Sequence, residues 1–196
     1  MPNATQSSPD ALPASMHAIL HALDELEADA KAVVRDLTDE QVNWQPNEGK
    51  AWSIAQCLDH IGKTNVVYVN AMRSSLPADG QVLTQDLPIR PGWFGRFFLW
   101  SVEPPSRFKV PAPAKIQPAS QMARDEALRV FVESQRLIRS LLPECARSDV
   151  NRIRFQNPFL AGIKFTVGTG LLVMAAHGRR HVWQARRVRE SMLQVR

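Results

Sequence analysis

A chain of 196 residues with only two cysteines has room for one domain with a substantial core, and it lacks the cysteines of a disulfide framework. The opening MPNATQSSPDALPAS has neither the basic stretch nor the apolar run of a leader, and the longest apolar run, near 170–176, is far too short to span a bilayer. A soluble, cytoplasmic protein with Cys57 and Cys145 reduced is therefore expected. The formal charge of +5 hides an asymmetry, because residues 1–60 carry 10 acidic and 3 basic side chains while 61–196 carry 9 acidic and 21 basic. The bland reading sets an acidic first helix beside a basic last one, and the alternative is a nucleic-acid or membrane surface.

In chain order, Leu12, Met16, Ile19, Leu20, Leu23, Leu26, Ala30, Val33, Val34 and Leu37 recur at steps of three and four and predict an amphipathic helix over 12–37. Pro46 and Gly49 mark a loop, after which Ser53 is placed to cap a second helix. Its inner stripe is Ile54, Leu58, Ile61, Asn65, Tyr68 and Met72, and Pro77 stops it. Residues 77–118 contain eight prolines and predict a packed, irregular crossover in which no long helix or central strand can run. Six of the fourteen aromatics fall between Trp93 and Phe108, which argues that the crossover is ordered. Trp93, Phe94, Phe97, Phe98 and Trp100 would cover one end of the molecule or the same surface of a partner copy. They could also form a lid or a membrane-surface anchor.

Ser120 opens a third helix, with Ala127, Val130, Phe131, Ser134, Leu137, Ile138 and Leu141 on one face, and Pro143 is expected to end it. A linker through Asn157-Pro158 leads to a fourth helix running from Ile163 or Thr166 to Met192. Four helical patterns with no pair of alternating strands predict an all-α, antiparallel four-helix bundle, with 1–196 a single domain.

His177 and His181 are four residues apart, so both imidazoles leave the same face of the fourth helix about one turn from each other. That face continues through Gly170, Met174, Gln184 and Val188 and points inward or along a border. His60, flanked on its own face by Gln56, Cys57, Thr64 and Val67, could reach the pair across a bundle. Three neutral imidazoles leave an open coordination position, the arrangement of a catalytic and not a structural zinc-type site. His17 and His21 form a rival pair, but their face runs through Asp24, Ala28, Lys31 and Arg35 and reads as solvated surface. Spacing alone leaves both pairs open, together with the plain reading of hydrogen-bonded histidines. No HExxH, Glu-x-x-His, G-x-S-x-G, Walker or dinucleotide motif is present. Cys57, one turn before His60, reads as a buried inert thiol in preference to a fourth ligand. Asp59 points about 100° away from His60 and is not a candidate base.

The segment Pro46, Gly49-Lys50-Ala51-Trp52-Ser53-Ile54-Ala55-Gln56 and on to His60, with Asn157-Pro158-Phe159 and then His177-Gly178-Arg179-Arg180-His181-Val182-Trp183-Gln184, resembles the DinB-like superfamily and its YfiT-type metal-dependent hydrolases. The match runs in the family's order from about Leu12 to Val188 and skips 77–118. It implies a four-helix bundle, often a homodimer, with His60, His177 and His181 holding nickel, zinc or a similar ion, and Gln184 behind them. It further implies hydrolase chemistry or S-transfer and isomerisation using bacillithiol, mycothiol or glutathione. The loops around Trp44, Trp52 and Asn157 would then shape a pocket for a small-molecule substrate.

Two other classes compete with an enzyme. One is a non-catalytic binding or stress-response module on the same bundle. The other is a nucleic-acid surface at Arg179, Arg180, Arg186, Arg187 and Arg189, against which stands the distance in sequence between these arginines and the aromatics. Basic residues in a last helix also complement its negative C-terminal end.

Overall fold

Four long helices with buried stripes carry the structure, a computed structural model that describes residues 12–79, 87–105 and 111–194. Helix α1 (Ala14–Val34) buries Met16, Ile19, Leu23, Leu26, Ala30, Val33 and Val34 along the expected stripe. It stops short of residue 37 because Asp36 takes a left-handed φ of 59°. A short helix α2 (Asp39–Asn43) follows, held by a capping box between Thr38 and Gln41. Helix α3 (Ile54–Arg73) opens on a second box, in which Ser53 Oγ accepts from Gln56 N and Gln56 Oε1 accepts from Ser53 N.

The crossover holds more regular structure than its prolines suggested. Helix α4 (Trp93–Val102) fits between Pro91 and Pro104, and a single 3-10 turn spans Ala114–Ile116. Parts of the crossover, Phe108 among them, lie outside the described residues. Helix α5 (Arg124–Ala146) starts four residues after Ser120, with Arg124 N donating to Asp39 Oδ1 of α2. Pro143 does not end it. The hydrogen bond Pro143 lacks falls in the final turn, and buried Leu141, Leu142 and Cys145 hold that turn in place.

The linker also contains a small antiparallel hairpin, β1 (Arg154–Gln156) and β2 (Lys164–Thr166), with Phe155 opposite Phe165. Three residues per strand give one inward phenylalanine each, too short an alternation to read from sequence. Helix α6 (Val167–Gln194) begins directly after β2, and Thr166 Oγ1 accepts from Thr169 N at its start.

Side-chain contacts set the helix directions. Asp29 of α1 pairs with Arg186 of α6, and Arg189 Nη1 donates to the carbonyls of Ala32, Val33 and Arg35, so α1 and α6 run side by side in the same direction. Asn65 and Arg73 of α3 meet Ser134 and Glu144 of α5, so these two are also parallel. The two pairs oppose each other: Arg139 of α5 reaches Asp24 of α1, while Arg124 Nη1 reaches Leu37 O just beyond its end. The bundle is thus antiparallel by pairs. The crossover of about fifty residues lets α5 run parallel to α3 where a short turn would have forced them antiparallel.

The core has two apolar halves. One gathers Met16, Leu23, Met72, Ile138, Leu142, Phe155 and Leu171, and the other gathers Leu26, Val33, Ile54, Leu58, Phe131 and Val188. Between them lies a buried polar layer made of His60, Thr64 and Asn65 on α3, Ser134 and Gln135 on α5, and His181 on α6.

Candidate metal centre

His60 sits in the second turn of α3, and His177 and His181 face it from α6. The three each offer a nitrogen such that these atoms lie within 4.8 Å of one another. Ring centroids are 5.2 Å apart for His60–His177, 4.7 Å for His60–His181 and 4.5 Å for His177–His181. Among the described residues this is the group of histidine, cysteine or acidic side chains arranged to hold an ion.

Two of the rings are fixed from behind. His60 Nδ1 lies 2.9 Å from the carbonyl of Ile116, which only accepts, so the proton sits on Nδ1 and Nε2 keeps its lone pair. His181 Nδ1 is held in the same way by Gln184 Oε1 at 3.0 Å. His177 Nδ1 is enclosed and has no hydrogen-bond partner. A buried imidazole nitrogen without a partner, beside two rings with oriented tautomers, is a donor set that fits a divalent ion.

Burial keeps all three imidazoles neutral, reinforced by the Arg180 guanidinium and, for His177 and His181, by the neighbouring rings. His177 is held down to about 3, His181 well below the ordinary histidine range, and His60 below it as well, although there the Ile116 carbonyl and Asp59 act in the opposite sense. Trp52 forms a wall, its ring centroid 4.7 Å from His60 and 5.6 Å from His181.

The sequence pattern of the DinB superfamily matches residues 22–185. The chain belongs to the DinB superfamily. Among solved structures, this DinB-superfamily chain is similar to YfiT from Bacillus subtilis, described as a probable metal-dependent hydrolase with an unusual four-helix bundle topology. The two share 16% identity over 98% of this chain and 93% of that one, with a TM-score of 0.52, a likeness that carries the fold. No curated protein matches the sequence.

The remaining sequence candidates fall elsewhere. His17 and His21 are exposed on α1, His21 Nδ1 lying 3.5 Å from Glu25. Cys57 is buried in the apolar half around Ile54 and Leu58, where desolvation pushes its thiol far up; Cys145 is pushed up to about 12. Asp59 is engaged through Oδ2, which accepts from Lys63 Nζ at 2.8 Å and Ala119 N at 2.7 Å. Trp44 packs into the core beside α2. Asn157 latches the hairpin loop, donating to Tyr68 Oη and accepting from Phe159 N and Leu160 N. Of the three pocket-shaping residues expected, only Trp52 touches the histidines.

Two participants were not legible as such. The Ile116 carbonyl comes from backbone far along the chain, and no side-chain pattern announces it. Arg180 read as one of several surface arginines, yet it is half-buried, and its Nη1 donates to Ser101 O of α4. Arg179 pairs with Glu103, Arg186 with Asp29, and Arg187 lies over the Trp183 ring.

Proposed function

We propose that this protein is a metal-dependent enzyme in which His60, His177 and His181 hold one divalent ion, nickel or zinc, and in which water or a low-molecular-weight thiol attacks a small-molecule substrate. The observation that carries this reading is the convergence of three neutral imidazoles, His60 and His181 buried and His177 half-buried, two with their outer nitrogens already hydrogen-bonded. The hydrolase description of the YfiT fold relative agrees with it. By the same family resemblance the protein acts as a cytoplasmic homodimer.

When bound, a divalent ion supplies Lewis acidity that favours the deprotonated form of water or a thiol near neutral pH. The chain's own groups do the rest. Ile116 O and Gln184 Oε1 hold protons on the outer nitrogens and keep the lone pairs turned inward. Among the described residues no carboxylate belongs to the histidine group, and the nearby Arg180 guanidinium favours an anionic nucleophile or substrate group there. Trp52 excludes water from one side of the imidazoles.

Elemental analysis and calorimetric titration with nickel and zinc test the site. We expect one ion per chain, a loss of at least about a hundredfold in affinity in His60→Ala, His177→Ala and His181→Ala, and normal binding in His17→Ala. If His17→Ala abolishes binding while His60→Ala retains it, the ion belongs on α1 and the reading fails. A turnover screen with activated esters, and with thiols plus an electrophile, then separates hydrolysis from S-transfer; stoichiometric metal without turnover would favour the binding-module reading.

A further inference from the structure

The inner stripe of α3 runs through Ile54, Leu58, Ile61 and Asn65, and at about 100° per residue Gln56, Asp59, His60 and Lys63 lie within roughly 100° of one another on the opposite side. Such a face ordinarily meets water. Here Asp59 is 2% and His60 4% exposed, because the last stretch of the crossover, 114–119, lies along it. All four side chains grip that stretch. His60 Nδ1 donates to Ile116 O at 2.9 Å, Lys63 Nζ to Gln117 O at 2.9 Å and Gln56 Nε2 to Ala119 O at 3.3 Å, while Asp59 Oδ2 accepts from Ala119 N at 2.7 Å. Lys63 Nζ also donates to Asp59 Oδ2 at 2.8 Å, which joins two of the grips into one clasp.

The clasp lies next along the chain from the carbonyl that orients His60. Pro118 stands between the two clasped groups and holds Gln117 extended, at φ −60° and ψ 132°, so the Gln117 carbonyl and the Ala119 amide move as one unit. On the other side the 3-10 turn Ala114–Ile116 and the buried Ile116 side chain fix the strap. The Ile116 carbonyl is thereby held between two anchored points. A single hydrogen bond from a neutral imidazole returns less than the entropy lost in ordering the chain that accepts it, whereas bonds to a buried carboxylate are charge-assisted and stronger. Asp59 is the one carboxylate among the four grips.

We propose that Asp59, clasped to Lys63, is a positioning residue: it holds the 116–119 strap so that Ile116 O fixes the Nδ1-protonated tautomer of His60 and leaves Nε2 turned toward His177 and His181. Asp59 acts through the strap backbone and not as a ligand, since its Oδ2 is taken up by Lys63 and Ala119. The effect on ion binding rests on the metal reading of the three histidines, but the effect on the tautomer does not.

Imidazole nitrogen chemical shifts of the full, chelator-treated chain at a single neutral pH read the tautomer, with the His60 signals assigned by their loss in His60→Ala. Wild type should be protonated at Nδ1. Asp59→Ala should shift His60 to a mixture of both tautomers and weaken zinc binding by about tenfold. Asp59→Asn keeps an oxygen that accepts from Ala119 N, and it should restore the tautomer and most of the affinity. Asn157→Ala, which loosens the hairpin loop, should lose stability with the tautomer unchanged, so a shift common to any destabilised variant is recognised. Should Asp59→Ala fail to fold, Lys63→Met carries the same test: it releases Gln117 O and half of the clasp and should move the tautomer in the same direction. The proposal is overturned if wild-type His60 is not protonated at Nδ1, if the tautomer in Lys63→Met and in any folded Asp59→Ala stays as in wild type, or if Asn157→Ala shifts it equally. It is also overturned if Asp59→Asn behaves like Asp59→Ala, or if wild type binds zinc and a folded Asp59→Ala binds it as tightly. Failure of wild type to bind zinc while the tautomers shift as expected removes the metal reading and upholds the role of Asp59.

Discussion

Gln184 and Asn157 both come from the segments that resemble the family, yet the structure gives them different physical tasks. Gln184 Oε1 fixes the tautomer of His181, and its loss leaves the ring free to turn and its outer nitrogen unpaired. Gln184→Ala should therefore lower zinc affinity by about ten- to a hundredfold with little change in metal-free stability. Asn157 Oδ1 accepts two backbone N–H groups and its amide donates to buried Tyr68, so Asn157→Ala should cost about 1–3 kcal/mol of stability and leave affinity nearly unchanged. Chelator competition and urea unfolding on the same two variants measure both quantities; equal affinity losses in the two would contradict this division. The i, i+4 spacing made the His177–His181 pair visible in sequence, because helix geometry alone converts that spacing into proximity. The orientation of His60 was not visible, since it depends on a carbonyl 56 residues away.

Among the elements, the legible ones were those whose burial follows a sustained helical period. The inner stripe of α3 is buried in full and that of α1 but for half-buried Leu12 and Leu20, and Ser53 caps α3 as its position required. What stayed hidden depends on contacts distant in sequence: the parallel run of α3 and α5, the persistence of α5 through Pro143, and a hairpin stabilised by Phe155 and Phe165 packing under α4 and α6. The approach of α3 to α6, which brings His60 to its partners, also turns on such a contact. A Cβ at Gly170 would lie 2.6 Å from Met72 Sδ and 2.8 Å from the Phe155 ring, both buried. Gly170→Ala should force α6 away from α3, costing about 1–3 kcal/mol and weakening metal binding as well. Gly92→Ala, where nothing lies within 4 Å, should cost under about 1 kcal/mol and leave metal binding as it is. Thermal melts and metal titrations of the pair decide the matter, and indistinguishable behaviour would mean that the helices accommodate a methyl at residue 170.

For the whole molecule, the polar layer couples stability to pH, and the sign follows from where its protons go. In the unfolded chain an imidazole takes up a proton near pH 6.5, whereas in the fold His177 is held down to about 3, and His60 and His181 are also lowered, by burial first. Between those limits the unfolded state binds more protons than the native state, so stability rises with pH through the window and falls as pH drops from about 6.5 towards about 3. Each such histidine contributes a slope of up to roughly 1.4 kcal/mol per pH unit. A bound ion acts in the same direction. It requires unprotonated rings brought together only by the fold, and adds roughly 2.7 kcal/mol at a hundredfold excess over its dissociation constant, an increment that shrinks in acid. Urea unfolding of the chelator-treated protein at about pH 6.5 and about pH 5 should show the loss, and His177→Leu should make the slope shallower. Adding zinc should then stabilise wild type more at the higher pH and His177→Leu at neither. If the metal-free slopes of wild type and His177→Leu coincide, the imidazoles are not held neutral by burial and the electrostatic account of this layer is wrong.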